Sequence, residues 1–192
     1  LEAALLHRFE EFARPYAAPV PDVDGSVVGA FAGLRSSGGD AVYRIRDGVY
    51  SIVDRLDFFD EGMDPLGSLL RTADGRFYGS TWQGGGAGVG AVFVLEGGDA
   101  RAVVEFGEGA VSWSAAGLAR TETGALLGVT WWGGTSGLGT VFGTEDGAPV
   151  ATHASFEGRS NRPGEGYDLR PSRPVLAADG AFYMATWRGG AY

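Results

Sequence analysis

The chain has 192 residues, 44% of them hydrophobic and 20% charged, a composition that supports a soluble domain with a real core and argues against disorder. Its formal charge of −9 argues against a nucleic-acid partner, which needs Lys and Arg to neutralise phosphates, and the lack of cysteine excludes disulfides, Cys-ligated zinc and thiol nucleophiles. Glycine is the outlier at 34 residues, without the three-residue period of collagen, and so points to many tight turns.

All fifteen basic residues are arginine, which reads mainly as a GC-rich coding background and less readily as selection for bidentate contacts. No run approaches the roughly 20 apolar residues of a membrane helix, and nothing at the start resembles a signal peptide. The sequence opens on Leu1, not Met, which suggests a processed or partial segment of something longer.

Along the chain, Leu1 to Phe9 reads as a strand by its match to Arg101 to Phe106, although Leu1, Leu5, Leu6, Phe9 and Phe12 also have the spacing of a short amphipathic helix. Pro15 to Pro21 reads as a loop, followed by a turn at Asp24-Gly25. The next unit resolves into runs Leu66 to Arg71, Arg76 to Trp82, Gly90 to Leu95 and Arg101 to Phe106. The following one gives Ala116 to Thr121, Ala125 to Trp132, Gly139 to Thr144 and Pro149 to Phe156. Each run is rich in β-branched or aromatic residues and bounded by turn formers. Asp74-Gly75 between the first two runs, echoed by Thr123-Gly124 and Asp179-Gly180, predicts a two-residue primed turn. Glu157 to Pro174 reads as an inserted loop, and the chain stops at Tyr192, before a third run of its last unit.

Three landmarks recur with a period of about fifty residues. They are Thr81-Trp82-Gln83-Gly84-Gly85 with Thr130-Trp131-Trp132-Gly133-Gly134 and Thr186-Trp187-Arg188-Gly189-Gly190; Gly90-Ala91-Val92-Phe93 with Gly139-Thr140-Val141-Phe142; and the phenylalanines Phe9, Phe58, Phe106 and Phe156. Four antiparallel strands per repeat is the arithmetic of a β-propeller blade. The fold class is therefore all-β: a propeller of about four four-stranded blades, incomplete within these residues or completed by another chain. It forms one repeat domain over 1–192, with approximate units 1–46, 47–96, 97–145 and 146–192.

These motifs resemble a known family. Asp74 to Gly85, followed by Gly88-Val89-Gly90-Ala91-Val92-Phe93, is similar to the bacterial GloVer tandem repeat, with its Asp-Gly turn, Tyr-Gly-Thr-Thr-like strand, Gly-Gly turn and Gly-Thr-Val-Phe strand. The third unit replaces the turn Asp by Thr123, and the first departs most, with Gly29-Ala30-Phe31 where the Thr-Trp strand should be. The resemblance implies a secreted, surface-associated bacterial repeat protein without an assigned activity, and it transfers no catalytic residue.

The residues offer few sites for chemistry. His7 and His153 share no ligand motif, and no Gly-x-Ser-x-Gly elbow supports a Ser-His-Asp triad. Paired carboxylates could serve a glycosidase, but the acids sit mostly in turns. Asp22 and Asp24, and Asp60 and Asp64, are weak calcium candidates, since neither cluster completes an EF-hand loop. Trp82, Trp131, Trp132 and Trp187 recur at one place in successive blades, either as blade-to-blade packing or as platforms for a sugar ring, and Trp113 is a candidate surface aromatic. Because consecutive side chains on a strand face opposite ways, one of Trp131 and Trp132 is expected outside the packing.

The expected function is a non-catalytic extracellular or cell-surface binding or assembly module, periplasmic placement being a variant. A lectin using exposed tryptophans is the alternative, and a glycoside hydrolase the third. A protein partner or self-assembly is expected, a glycan is an option, and no cofactor and no transmembrane segment are expected.

Overall fold

The computed structural model describes residues 7–9, 13–34, 38–107, 112–114, 117–144, 151–156 and 174–185. Among them the chain forms antiparallel sheets in series. The first runs β1 (Val20–Pro21), β2 (Val27–Phe31), β3 (Ala41–Arg46) and β4 (Val49–Arg55), each strand beside its predecessor. The second repeats this order in β5 (Leu70–Arg71), β6 (Phe77–Ser80), β7 (Ala91–Glu96) and β8 (Asp99–Glu105). The third contains β10 (Ala119–Arg120), β11 (Leu126–Trp132), β12 (Thr140–Thr144) and β13 (Ala151–Ser155), with an unpredicted fifth strand, β9 (Ser112–Ser114), on the end of β11. β14 (Val175–Leu176) and β15 (Phe182–Tyr183) begin a fourth. The architecture is all-β and propeller-like, and the described sheets do not close into a ring.

Corresponding hydrogen bonds fix the repeat register more tightly than the sequence landmarks do. At the turn between the first two strands, the glycine N–H of Gly25, Gly75, Gly124 and Gly180 donates to the carbonyl three residues earlier, on Asp22, Thr72, Thr121 and Ala177. The glycine has positive φ in each copy, from 79° to 97°. This is a three-residue loop ending in a left-handed glycine, not the two-residue primed turn the Asp-Gly pair suggests. The primed geometry occurs one hairpin later, where Asp47 and Gly48 (φ 51° and 77°) and Gly97 and Gly98 (66° and 107°) are both left-handed.

At the other end of the sheets, Leu56, Phe106 and Phe156 donate their N–H to Asp40, Gly90 and Gly139. The first-unit counterpart of Phe106 is therefore Leu56, not Phe58, and the true spacing of this landmark is more regular than the phenylalanines imply. Val20–Pro21 is strand and not loop; Pro21 fits because β1 is an edge strand, where a missing N–H costs no ladder bond. Residues 7–9 are in no strand, and Leu1 to Leu6 and Glu157 to Ser172 lie outside the described residues, as does Arg173.

A close approach repeats within each sheet. A Cβ on Gly29, Gly79 or Gly128 would come within 3.0 Å of the ring of Tyr43, Phe93 or Phe142, the aromatic directly across on the third strand. One residue before that aromatic, each sheet carries a register shift, at Val42/Tyr43, Val92/Phe93 and Val141/Phe142. The bulge sharpens the local twist just where the ring folds over the glycine.

Sheets stack through these rings. The forward face of the first sheet (Val28, Ala30, Val42, with Leu56) packs on the rear face of the second (Phe77, Phe93, Leu95, with Leu69). The forward face of the second (Tyr78, Val92, Val94, Val104, with Phe106) packs on Leu118, Leu126 and Phe142 of the third. Phe106 and Phe142 meet edge to face with centroids 5.1 Å apart. On the turn side, an arginine closing the first strand reaches the acidic turn of the preceding sheet, Arg71 to Asp22 at 2.9 Å and Arg120 to Asp74 at 3.8 Å. Both pairs mark the stacking register, and the more exposed one, Arg120 to Asp74, contributes little to stability.

Candidate functional site

Antiparallel pairing places the loops after the second and fourth strands of every sheet at one end. At that end, between the first two sheets, the repeat is broken. Where the second and third units have Gly90 and Gly139, the first has Asp40; where they have Thr81 and Thr130, it has Phe31. Thr81 and Thr130 accept the backbone N–H of Ala91 and Thr140 at 3.0 Å, a bond that Phe31 cannot make.

Asp40, 3% exposed, instead spreads its carboxylate over two loops, accepting from Gly33 N–H at 2.8 Å and from Asp64 N–H. Asp64 sits at φ 57° and accepts a hydrogen bond from Gln83 Nε2 at 2.6 Å, while Met63 N–H donates to Gln83 O at 2.6 Å. The segment from 57 to 64 is thereby laced onto the second sheet. Gly62 permits this approach, because a Cβ there would come within 3.0 Å of both Thr81 and Gln83 and its φ is 82°.

Beneath that segment lies a cleft of about 250 Å³ lined by Gly33, Gly38, Gly39, Asp40, Leu56, Asp57, Phe58, Phe59 and Met63. Asp57 Oδ1 accepts Phe59 N–H at 2.8 Å, and Glu61 Oε2 accepts Asp57 N–H at 3.0 Å. Glu61 is 8% exposed. Burial pushes its carboxyl above the usual carboxylate range, and the nearby Asp60 and Asp54 charges push the same way against two backbone hydrogen bonds. The folded protein therefore holds the Glu61 proton more tightly than the unfolded chain. This contribution to stability is full at low pH and is lost as pH rises through the raised value.

The acidic pair Asp22 and Asp24 meets arginines: Asp22 binds Arg71 and Arg44, and Asp24 binds Arg44 and Arg46. Bonds from the Ser26 hydroxyl and N–H hold the Asp24 carboxyl below its ordinary value. Asp60 is exposed beside the cleft, and Asp64 belongs to the loop lacing. Among the described residues no three His, Cys, Asp or Glu side chains cluster as metal ligands.

Trp82 and Trp131 occupy equivalent positions and touch edge to face, centroids 4.8 Å apart, whereas Trp132 is 45% exposed. Trp113 is at the centre of β9, and Trp187 lies outside the described residues. His7 stacks on Tyr50 at 3.9 Å outside any strand, and His153 is exposed on β13 at the register shift. The sequence gives no signal for Asp57 and marks Glu61 only as part of the acidic cluster from Asp60 to Asp64. The legible signal was the departure of the first unit from the repeat at Asp40, since a carboxylate standing where the other copies need glycine has a job of its own.

The sequence model of the Gloeobacter/Verrucomicrobia repeat matches residues 14–192. The chain belongs to that family. No curated protein matches this repeat protein in sequence. Among solved structures it is similar to a gluconolactonase from Xanthomonas campestris, at 17% identity and a TM-score of 0.54, over 93% of this chain and 57% of that one. It is also similar to a protein of unknown function from Dyadobacter fermentans, at 14% identity and a TM-score of 0.56, over 86% of this chain and 54% of that one. The repeat protein thus spans a little over half the length of either.

At these identities the likeness shows the propeller-like fold alone. The expectation of a non-catalytic extracellular binding or assembly module is corrected to what the matches carry, the repeat family and a propeller-like fold. That expectation took the repeat architecture for a passive scaffold, while a propeller matching nearly the whole chain is an enzyme, and nothing in the comparisons carries an extracellular role.

Proposed function

We propose that this repeat protein carries a hydrolytic site for small polar esters of the sugar-lactone class in the loop-end cleft between its first two sheets. The observation that carries the reading is the pairing of two unlike carboxyls on one turn: Asp57 in the cleft wall, and Glu61 behind it with a raised pKa. A carboxyl that burial keeps protonated, set beside a second carboxyl on the cleft wall, lets one site supply both an acid and a base. Asp57 takes a proton from the attacking water, and Glu61, which does not itself line the cleft, returns one to the leaving alkoxide by way of an intervening water. Phe58, Phe59 and Met63 supply the apolar wall of the pocket, opposite the carboxylates of Asp40 and Asp57. The lactone class is taken from the name of the structurally similar gluconolactonase.

Turnover of a panel of sugar and aliphatic lactones tests this. The wild-type chain is expected to hydrolyse at least one sugar lactone, with activity falling as pH rises through the Glu61 value, because the acid must hold its proton. Asp57→Asn is expected to lose about 100-fold or more in kcat, the usual worth of a general base, and Glu61→Gln to lose the alkaline limb of the profile. No turnover above the spontaneous rate, or an Asp57→Asn chain as active as wild type, would refute the reading.

A further inference from the structure

A second cleft, of about 360 Å³, borders the first sheet and shares no lining residue with the cleft that holds Asp57. Its volume is at the small end of the roughly 300–1,000 Å³ of ordinary ligand sites, which leaves room for one ring and a short substituent. Phe9, Ala13, Phe31 and Ile52 give it an apolar side. His7 and Tyr50 border it as a stacked pair, with centroids 3.9 Å apart and planes 4° from parallel. Phe9 stands edge-on to both rings, at 5.0 Å and 5.7 Å. A planar aromatic body meets such a set through face and edge contacts.

The charges of this cleft are the guanidinium groups of Arg8 and Arg55, and no carboxylate lines it. Elsewhere the arginines of this acidic chain are matched: Arg44, Arg46, Arg71, Arg76, Arg101 and Arg120 each lie 3.9 Å or less from an Asp or Glu oxygen. Among the described residues no acid stands in that relation to Arg8 or Arg55. The carboxylate next in sequence, Asp54, is turned to backbone, accepting the N–H of Arg55 at 2.8 Å and of Ala100 at 2.6 Å. Arg55 is also held in place. Its Nη1 donates to the Gly38 carbonyl, and a Cβ on Gly38 would come within 3.0 Å of the guanidinium. That bond uses one of five N–H donors and leaves the others for a ligand.

From this we infer that the second cleft binds a small aromatic carboxylate, its ring among Phe9, Tyr50 and Ile52 and its carboxylate on Arg55 and Arg8. Two guanidinium groups in a concave, largely apolar wall focus a positive potential on a chain whose formal charge is −9. Their planar fork fits a carboxylate with paired hydrogen bonds. The two halves of the cleft together set the ligand class. Inorganic phosphate would shed water against apolar side chains with nothing gained, and a neutral aromatic would leave the guanidinium groups without an acceptor.

Isothermal titration calorimetry with phenylacetate tests the inference independently of any lactone turnover. The expected result is saturable binding about tenfold or more tighter than that of the neutral amide phenylacetamide, with inorganic phosphate at equal concentration failing to displace the ligand. Arg55→Gln and Arg8→Gln are each expected to weaken binding about tenfold or more. Both side chains are exposed, so the circular dichroism spectrum should not change. Asp57→Asn, in the other cleft, should leave the affinity as it is. No saturable binding in the millimolar range, equal affinity for acid and amide, displacement by phosphate, or binding that responds to Asp57→Asn and not to the arginine substitutions would overturn the inference.

Discussion

Phe93→Ala is expected to destabilise the protein by about 3–5 kcal/mol, the usual cost of deleting a buried phenylalanine ring. The ring is fully buried and contributes to two contacts at once. Within the second sheet it folds over Gly79, and between sheets it fills the core shared with Val28, Val42 and Leu56. The reciprocal change, Gly79→Ala, inserts a methyl into a ring that is already in van der Waals contact and is expected to cost about 1–3 kcal/mol. The two effects should not add: in the double variant the new methyl enters space the ring has vacated, so the second substitution costs less than it does alone. Urea denaturation of the two single variants and the double variant reads this coupling directly. Additive losses would mean that the ring and the glycine do not face each other.

Asp40→Ala is expected to cost about 2–4 kcal/mol, because it leaves the half-buried N–H groups of Gly33 and Asp64 without their acceptor, each worth about 1–2 kcal/mol. Asp40→Asn should recover part of this, since its amide oxygen still accepts one of the two. Denaturation midpoints of the two variants distinguish them, and a loss in Ala equal to that in Asn would count against the bracing role. Because Asp40 also lines the cleft, the same variants are expected to lower lactone turnover along with stability.

The fold was legible in the sequence wherever a residue type answers a local backbone demand. Glycine at the turns, the alternating apolar runs and the Gly-x-Val-Phe landmark all follow from demands met within one sheet, and they located the strands of the second and third units closely. Phe58 misled because chemical identity stood in for register: the core position is Leu56, which serves equally well to fill the space against Phe93. The Asp-Gly turn misled for a related reason, since both hairpin classes in this repeat use Asp and Gly and differ in loop length and in how many residues have positive φ.

The site was less legible. Asp40, Asp57 and Glu61 come together through hydrogen bonds to backbone N–H groups of other loops, and no spacing in the sequence records which N–H a carboxylate will find. Trp131 and Trp132 show the opposite case, in which strand alternation alone separates the packed indole from the exposed one.

Successive sheets stack in one register, the forward face of each meeting the rear face of the next. Nuclear Overhauser contacts between the indole rings of Trp82 and Trp131 check this register, because these tryptophans are equivalent by sequence and belong to successive units. Strong ring-to-ring contacts are expected between them, and none between Trp82 and Trp132. Contacts from Trp82 to Trp132 in place of Trp131 would contradict the register on which both the cleft and the sheet stacking depend.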